Sequence, residues 1–576
     1  MSRARTVLAI LLGLFAVLTL LDRFVLVELL LRRTAIPLLL AAATALAIAG
    51  IGMLFRRAKH IDLPLDLLIG YPLFGTLCFL AATLKVSIWM LAPIAAVGLL
   101  AAIFFLLRRY SDDAYVAPEP LPLHWSTLAV VAVLLCAFVA AQAPPSSLDE
   151  LAYHLAVPHA WVLEGRAIEL PLLSHSYFPL GIESADLLPL LFLGASDGGV
   201  ASHFLHLFAA IATTLLLARR TRSWLATAAI VTTPALAITA GWSLVDWPLA
   251  GLFVALYVSL EDDDVRTASA ATAAGLLTKY TFAPFALIAW AIRWYRKRTL
   301  PRWQILAGGV FFVRNLILTG NPLEPFFGAD APHVSGFREL ALADYIFEGT
   351  FLDEAIGAAL VILPVFATGA IALASIAIAI ALFVLAPSSR ILLPFLIVPS
   401  MSAAPELRRK TLSVMIAIAV VVQTFLVIFF AARTNAFSLL AASATEEEFL
   451  RKQRPSYAAI EWLNRQLPAD SRTLVVGINE TYWFARPVRG GGNFDGPRVS
   501  TYLAASSPEA LREQLRRDGI THIAVVTAPV ATTDEQKRAE RETTLSPGAQ
   551  KMLAQTLDRY ASHMIARDTA TLFKLR

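Results

Sequence analysis

Two adjacent carboxylates, Asp149 and Glu150, follow an apolar run that ends at Gln142, in the stretch AQAPPSSLDELAYHLAVPHAWVLEG at 141–165. A carboxylate at the edge of an apolar segment can remove the proton of a hydroxyl nucleophile. A structural use fits the same letters. Ser147, Leu148, Asp149 and Glu150 match S-x-x-E, in which Ser147 caps a helix and Glu150 reaches back to its backbone N–H; acids in a first turn also suit the helix dipole. If the helix begins after Ser147, Asp149 lies four residues before Tyr153 and Glu150 four before His154, so each acid gains a polar neighbour on its own face. Leu148, Leu151, Ala152 and Leu155 then make an apolar strip suited to lying on a membrane surface. A metal site from Asp149, Glu150, His154, His159 and His175 is disfavoured, because His154 and His159 are five apart and do not share a helical face.

The elements that position these groups are read from composition. The 576 residues are 57% hydrophobic and only 16% charged, with a mean hydropathy of +0.65, which excludes an ordinary soluble globular protein. The expectation is a polytopic α-helical membrane protein with roughly 13–15 spans, drawn from apolar runs at about 6–21, 35–55, 65–82, 88–107, 125–142, 199–218, 223–241, 246–260, 268–278, 281–294, 303–319, 355–368, 370–386, 390–404 and 411–432. The first run reads as a retained span rather than a cleaved signal. The only two cysteines, Cys78 and Cys136, lie inside apolar runs, which argues against a disulfide framework.

The net charge of +5 comes from arginines in short loops between these runs, so nucleic acid is not implied. Basic clusters at Arg56, Arg57 and Lys59, at Arg108 and Arg109, at Arg219, Arg220 and Arg222, at 293–302, and at Arg408, Arg409 and Lys410 are separated by even numbers of spans. All then lie on one side, the cytoplasmic one, with Arg32 and Arg33 as the exception. That parity places residues 143–198 and everything beyond about 433 outside. It also gathers Asp149, Asp246, Lys279, Arg314 and Arg390 at the outer ends of spans, where charges of both signs suggest a polar cavity. The domain expectation is 1–432 in the membrane, with an outer acidic loop at 143–198, and 433–576 as a small extracytoplasmic α/β domain. In that second part SYAAIEWLNRQLP, SPEALREQLRRDGI and SPGAQKMLAQTLDRYASHM read as helices, and RTLVVG, THIAVVT and ATLFKL as strands. RGGGN at 489–493 lacks the spacing of a phosphate-cradling loop and reads as a flexible connection.

From LDELAYHLAVPHAWVLEGR onward the chain resembles the GT-C superfamily of integral-membrane glycosyltransferases, in the branch with protein O-mannosyltransferases and bacterial aminoarabinose transferases. Those enzymes carry an acidic pair in the first large outer loop, followed closely by an aromatic residue. Further matches follow in the family's order: HSYFPLGIES at 175–184, LVDWP at 244–248, GLLTKYT at 275–281, RNLILTGNPLEPFF at 314–327 and RILLPFL at 390–396, with Ile391 where the family has tyrosine.

The resemblance implies transfer of a sugar from a polyprenyl-phosphate donor to an extracytoplasmic hydroxyl of a glycan, lipid or protein, with inversion at the anomeric carbon. Asp149, with Glu150 second, would be the base. Lys279, Arg390 and then Arg314 would stabilise the leaving lipid phosphate, for which arginine is suited by its bidentate fork. Tyr153, His154 and Tyr177 would line the substrate pocket. No cofactor is implied, although some relatives use a divalent metal. The location would be a bacterial inner membrane, with site and C-terminal domain on the periplasmic side. Charges of this kind also fit a lipid or solute transporter, or a non-catalytic membrane scaffold.

Overall fold

The computed structural model of the chain describes residues 31–57, 61–111, 124–327, 356–385, 389–434, 436–441, 443–492, 495–526, 544–567 and 569–576. The span expected at 6–21, Lys59 and residues 328–355 lie outside the described residues.

The chain is a polytopic α-helical membrane protein with a small C-terminal α/β domain. Its helices begin with α1 (Ile36–Arg56), α2 (Leu63–Leu84), α3 (Ile88–Ser111) and α4 (Trp125–Ala140). After the outer loop and its short helix α5 (Ala156–Glu164) come α6 (Leu187–Thr221), α7 (Trp224–Val231), α8 (Pro234–Ala237), α9 (Asp246–Glu261), α10 (Val265–Leu276) and α11 (Phe282–Lys297). The membrane part ends with α12 (Val310–Thr319), α13 (Ala358–Ile362), α14 (Ala370–Leu385), α15 (Ser389–Ser402) and α16 (Lys410–Arg433). Among the described residues five helices are long and apolar enough to cross a bilayer, or six if α7 and the segment after it, bent by 75°, make one crossing. The bend falls where Pro234 opens the second piece and brings no N–H to it. Four more apolar helices, including α4 and Arg390–Ser402 within α15, are 10–17 residues long. These shorter pieces bring the number to nine or ten among the described residues, short of the 13–15 spans expected; the runs expected at 246–260, 268–278 and 281–294 form α9, α10 and α11, of 16, 12 and 16 residues, shorter than a full crossing needs.

The acidic loop departs from the anticipated α-helix. Residues Glu150–His154 form a π-turn, closed by the Leu155 N–H donating to the Glu150 carbonyl at 3.0 Å. The wider turn takes His154 away from Glu150, so the four-residue pairings expected of the two acids are replaced by longer-range ones. The strip Leu151, Ala152, Leu155 does not face lipid either: all three are fully buried. Leu151 and Leu155 pack with Leu190 and with Tyr482 of the C-terminal domain. The Leu151 carbonyl accepts from the N–H groups of Thr481 and Tyr482, at 2.9 and 3.1 Å.

The C-terminal domain holds a five-stranded sheet in the order β2-β1-β3-β5-β4, built from β1 (Thr473–Val476), β2 (Val488–Arg489), β3 (His522–Val526), β4 (Ala561–Arg567) and β5 (Ala570–Leu575). β1 is parallel to both β2 and β3, whereas β5 is antiparallel to β3 and β4. Alternation decides the packing: Leu474 and Ile523 point into a core with Leu511, Leu515 and Leu553, while Val475 and Ala524 point into another with Ile460 and Leu463. The three expected strands are β1, β3 and β5. The end of the last expected helix is instead β4, and β2 is too short to leave a periodic signal.

Candidate functional site

Arg390, near the start of α15, joins two carboxylates that lie 241 and 144 residues away in sequence. Its Nη1 donates to Asp149 Oδ2 at 2.6 Å and its Nη2 to Asp246 Oδ2 at 2.8 Å. Asp246 opens α9 and is buried; Asp149 and Arg390 each keep about a fifth of their side-chain surface accessible. Burial by itself would raise the Asp149 carboxyl, but the adjacent guanidinium outweighs it and, with His154 and His175 nearby, holds the group well below the usual carboxylate range. The buried Nε of Arg390 has no partner among the described residues.

Lys279 follows the end of α10, its N–H donating to the Gly275 carbonyl at 3.2 Å. Its ammonium stands in the field of Asp246, Arg390, Asp149 and Glu183, yet among the described residues no hydrogen bond or ion pair engages it. What sets its place is a close approach of two backbones. The Gly181 N–H donates to the Leu277 carbonyl at 2.9 Å, and a Cβ on Gly181 would stand 2.6 Å from that oxygen and 2.9 Å from the Pro72 carbonyl. Only glycine permits this contact, which fastens the outer loop to the segment carrying Lys279.

Glu150 sits differently from its neighbour. It is fully buried, with Oε1 accepting from the Ser243 N–H at 2.6 Å and lying 2.8 Å from His203 Nε2, and Oε2 accepting from the Ser147 N–H at 3.0 Å. The last of these is the back-bond of the expected capping box. Every direction around this carboxylate is used to fix the loop against α6 and the start of α9.

His154 Nδ1 lies 2.8 Å from Glu183 Oε1, both side chains buried. The Tyr153 ring packs between the rings of His154 and His175, with centroids 4.0 and 4.1 Å away. Burial lowers the His175 imidazole to about 4. Several buried polar atoms nearby have no hydrogen-bond partner among the described residues: His154 Nε2, Glu183 Oε2, both carboxylate oxygens of Asp186, His206 Nε2 and the Tyr71 hydroxyl, with His206 Nε2 3.7 Å from Asp186 Oδ2. Each such atom costs on the order of 1–3 kcal/mol if nothing occupies the space beside it. His159 belongs elsewhere, packed 5.0 Å from the Tyr482 ring. Among the described residues no three His, Cys, Asp or Glu side chains are grouped to hold a metal ion.

Tyr177 and Arg314 form a second group. Arg314 donates to the Ser176 carbonyl at 2.7 Å, and its guanidinium lies 5.8 Å from the Tyr177 ring centre. Arg498 of the C-terminal domain lies 5.2 Å from the same ring and pairs with Glu324. The Tyr177 hydroxyl donates to Glu169, and its carbonyl accepts from Asn315 at 2.6 Å and from the Tyr280 hydroxyl at 3.0 Å. Thus Asp149 and Asp246 come together on Arg390, with Lys279, Tyr153 and His154 within their electrostatic field, while Arg314 and Tyr177 brace a second group.

Sequence reasoning passed over Glu183, Asp186, His203 and His206. The available signal was the pair of acids in GIESADLLPLLF and the two histidines in an apolar helix, since ionisable groups in such surroundings are costly unless paired or used.

No family model matches the chain, and no curated protein does. Among the solved structures similar to it are two of ArnT from Cupriavidus metallidurans. The one bound to undecaprenyl phosphate has a TM-score of 0.45 and 13% identity, and the apo one a TM-score of 0.44 and 14% identity; each likeness covers 78% of this chain and 97% of the other.

Proposed function

We propose that this chain is an inverting glycosyltransferase that moves a sugar from a polyprenyl phosphate to an extracytoplasmic hydroxyl. The observation that carries the reading is the meeting of Asp149 and Asp246 at Arg390, from three separate elements, with Lys279 in their electrostatic field. The order of motifs in the sequence supports it independently.

The chemistry follows from charge. A lipid phosphate entering this group brings negative charge to an arginine already shared by two carboxylates and to an ammonium with no hydrogen-bond or ion-pair partner among the described residues. Lys279 supplies a point charge, and Arg390 can turn its fork from Asp149 to a phosphate oxygen. That exchange releases Asp149 to accept the acceptor's proton. The acceptor oxygen forms its bond to the anomeric carbon as the bond from that carbon to the phosphate oxygen breaks, and the lipid phosphate leaves with the bonding pair on Lys279 and Arg390. Glu150 serves by holding the loop, since its oxygens are already engaged. No step calls for a metal.

The test is sugar transfer by the full chain in lipid nanodiscs, with a panel of polyprenyl-phosphate sugars and hydroxyl acceptors. Asp149→Asn is expected to lower turnover by roughly 10²–10⁴-fold with the fold retained. Unchanged turnover in that variant would remove Asp149 from the role.

A further inference from the structure

At the end of the helix bundle away from Asp149, three helices are closed by an arginine in the left-handed region: α1 by Arg57 with φ 50°, α6 by Arg222 with φ 49° and α11 by Arg298 with φ 51°. A side chain crowds the backbone there, which is why this position favours glycine. On the side of the outer loop the same position is glycine, at Gly165 after α5 and Gly320 after α12, with φ 72° and 76°. Contacts fix which end is which. The Thr34 hydroxyl, before α1, donates to Gln142 beside the outer loop at 2.7 Å, and α11 begins three residues after Lys279, so Arg57 and Arg298 sit one helix length from the site. A costly conformation kept three times with one residue type points to a use for the side chain.

The surroundings show what that use is. The Arg57 guanidinium lies 5.8 Å from the Trp303 ring centre and that of Arg298 4.7 Å from the Trp294 ring centre; Trp303 packs edge-on to Phe55 at 6.1 Å. A stacked guanidinium keeps the N–H groups of its rim open for hydrogen bonds. Trp303 and Trp294 are 58% and 47% exposed, and Tyr295, Leu300 and Leu306 are exposed beside them, a mixture that belongs at the boundary between hydrocarbon and headgroups. The acids at this end are already engaged: Asp62 by Arg219 at 2.8 Å, Asp66 by Arg56 at 2.9 Å, Asp262 by Arg220 at 3.1 Å, and Asp263 by Arg293 and Lys297. Among the described residues no ion pair engages Arg57, Arg298 or Arg302.

We propose that this end of the bundle binds the headgroup phosphates of anionic phospholipid in the leaflet it meets, at a site built from Arg57, Arg298 and Arg302 with Trp294 and Trp303. The fit is one of charge and of shape. Arginine forks take the phosphate oxygens, while the indoles, Leu300 and Leu306 lie against the glycerol and the upper acyl chains. Segment 298–303 joins the two arginine–tryptophan pairs, and its six residues reach at most about 20 Å, so the three cations fall among a few neighbouring headgroups.

The site is separate from the one at Arg390 and does not rest on the transferase reading. Anchoring Arg298 to headgroups sets the depth in the bilayer of α11, the helix whose other end follows Lys279.

The experiment uses the purified full chain, delipidated in neutral detergent, and reads lipid retention by native mass spectrometry beside the thermal midpoint, with phosphatidylglycerol, phosphatidylcholine or inorganic phosphate added. Phosphatidylglycerol is expected to be retained and to raise the midpoint by roughly 2–4 °C; phosphatidylcholine and inorganic phosphate should do neither. The double variant Arg57→Gly with Arg298→Gly frees two left-handed positions of their side chains, so its midpoint without lipid should equal or exceed the native one. Its affinity for phosphatidylglycerol should fall roughly 5-fold for each arginine removed. Arg57→Lys with Arg298→Lys keeps the charge without the fork and should bind with intermediate affinity. Equal retention of both lipids by the native chain, native retention of phosphatidylglycerol by the glycine variant, or an equal shift with inorganic phosphate would overturn the proposal. So would a glycine variant whose midpoint falls without lipid, since the arginines would then serve the fold. None of these outcomes depends on sugar transfer.

Discussion

Arg390 holds two acids apart and together at once, and its replacement should show which of its properties matters. Arg390→Lys keeps the charge but cannot bridge Asp149 and Asp246 through two nitrogens. Turnover is expected to fall by roughly 100-fold while the thermal midpoint stays near that of the native chain. Arg390→Ala removes the cation that bridges the two carboxylates, which should cost about 2–3 kcal/mol once partial solvent access is allowed for. Turnover and thermal unfolding of both variants check this; a Lys variant with native activity would assign the residue a packing role only. At this scale the sequence was partly legible. Asp149, Lys279 and Arg390 stood out because charge is rare in apolar surroundings, but nothing local announced that Arg390 meets Asp149 across 241 residues. Glu183 was invisible as a functional group because it is recognisable only by its contact with His154.

Between the residues and the whole stand the turns that aim them. The π-turn could not be foreseen from spacing, since a reading that assumes 3.6 residues per turn assigns Glu150 to His154, whereas the extra residue in the turn gives His154 to Glu183 and leaves Glu150 to His203. Single π-bulges of this sort commonly mark working sites. Gly194 breaks α6 with φ 74° and ψ −169°, so the acids before it and the histidines after it lie on two helical pieces rather than one. Gly181 makes the sharper prediction. Gly181→Ala drives a methyl group into two backbone carbonyls, and the site segment carrying Lys279 must shift to accommodate it. A loss of about 1–3 kcal/mol in stability is expected, with the KM for donor rising more than kcat falls. Steady-state kinetics and thermal unfolding test it, and a variant with unaltered stability and KM would show that the contact does not hold Lys279 in place.

For the molecule as a whole, the C-terminal domain is fastened to the acidic loop by polar and apolar contacts. Glu164 pairs with Arg472 at 2.6 Å and with Arg489 at 2.8 Å. Leu172 of the outer loop enters one core of the domain. The Asp495 carboxylate accepts from the Ser174 and Gly492 N–H groups at 3.1 and 2.6 Å. Burial pushes the Asp495 carboxyl up from 3.8 to about 6, its hydrogen bonds opposing the shift only in part. The folded state therefore binds more protons than the unfolded one between those values, and stability falls as pH rises from about 4 to about 6, by on the order of 3 kcal/mol. Asp495→Asn should flatten that part of the stability–pH curve; an identical slope would exclude Asp495 as its source. The alternation of apolar residues revealed the strands of this domain in advance, and composition separated it from the membrane part. Its docking on Leu151 and Leu155 was hidden, because a strip of leucines reads alike whether it meets lipid or Tyr482.

Whether Lys279 and Arg390 receive a lipid phosphate beside Asp149 is decided by an experimental structure of the full chain with a polyprenyl phosphate bound. Phosphate oxygens are expected within hydrogen-bond reach of both Lys279 Nζ and the Arg390 guanidinium, with the bond from Arg390 to Asp149 broken. A phosphate seated against Arg314 and Arg498, with the bridge from Asp149 through Arg390 to Asp246 intact, would contradict it.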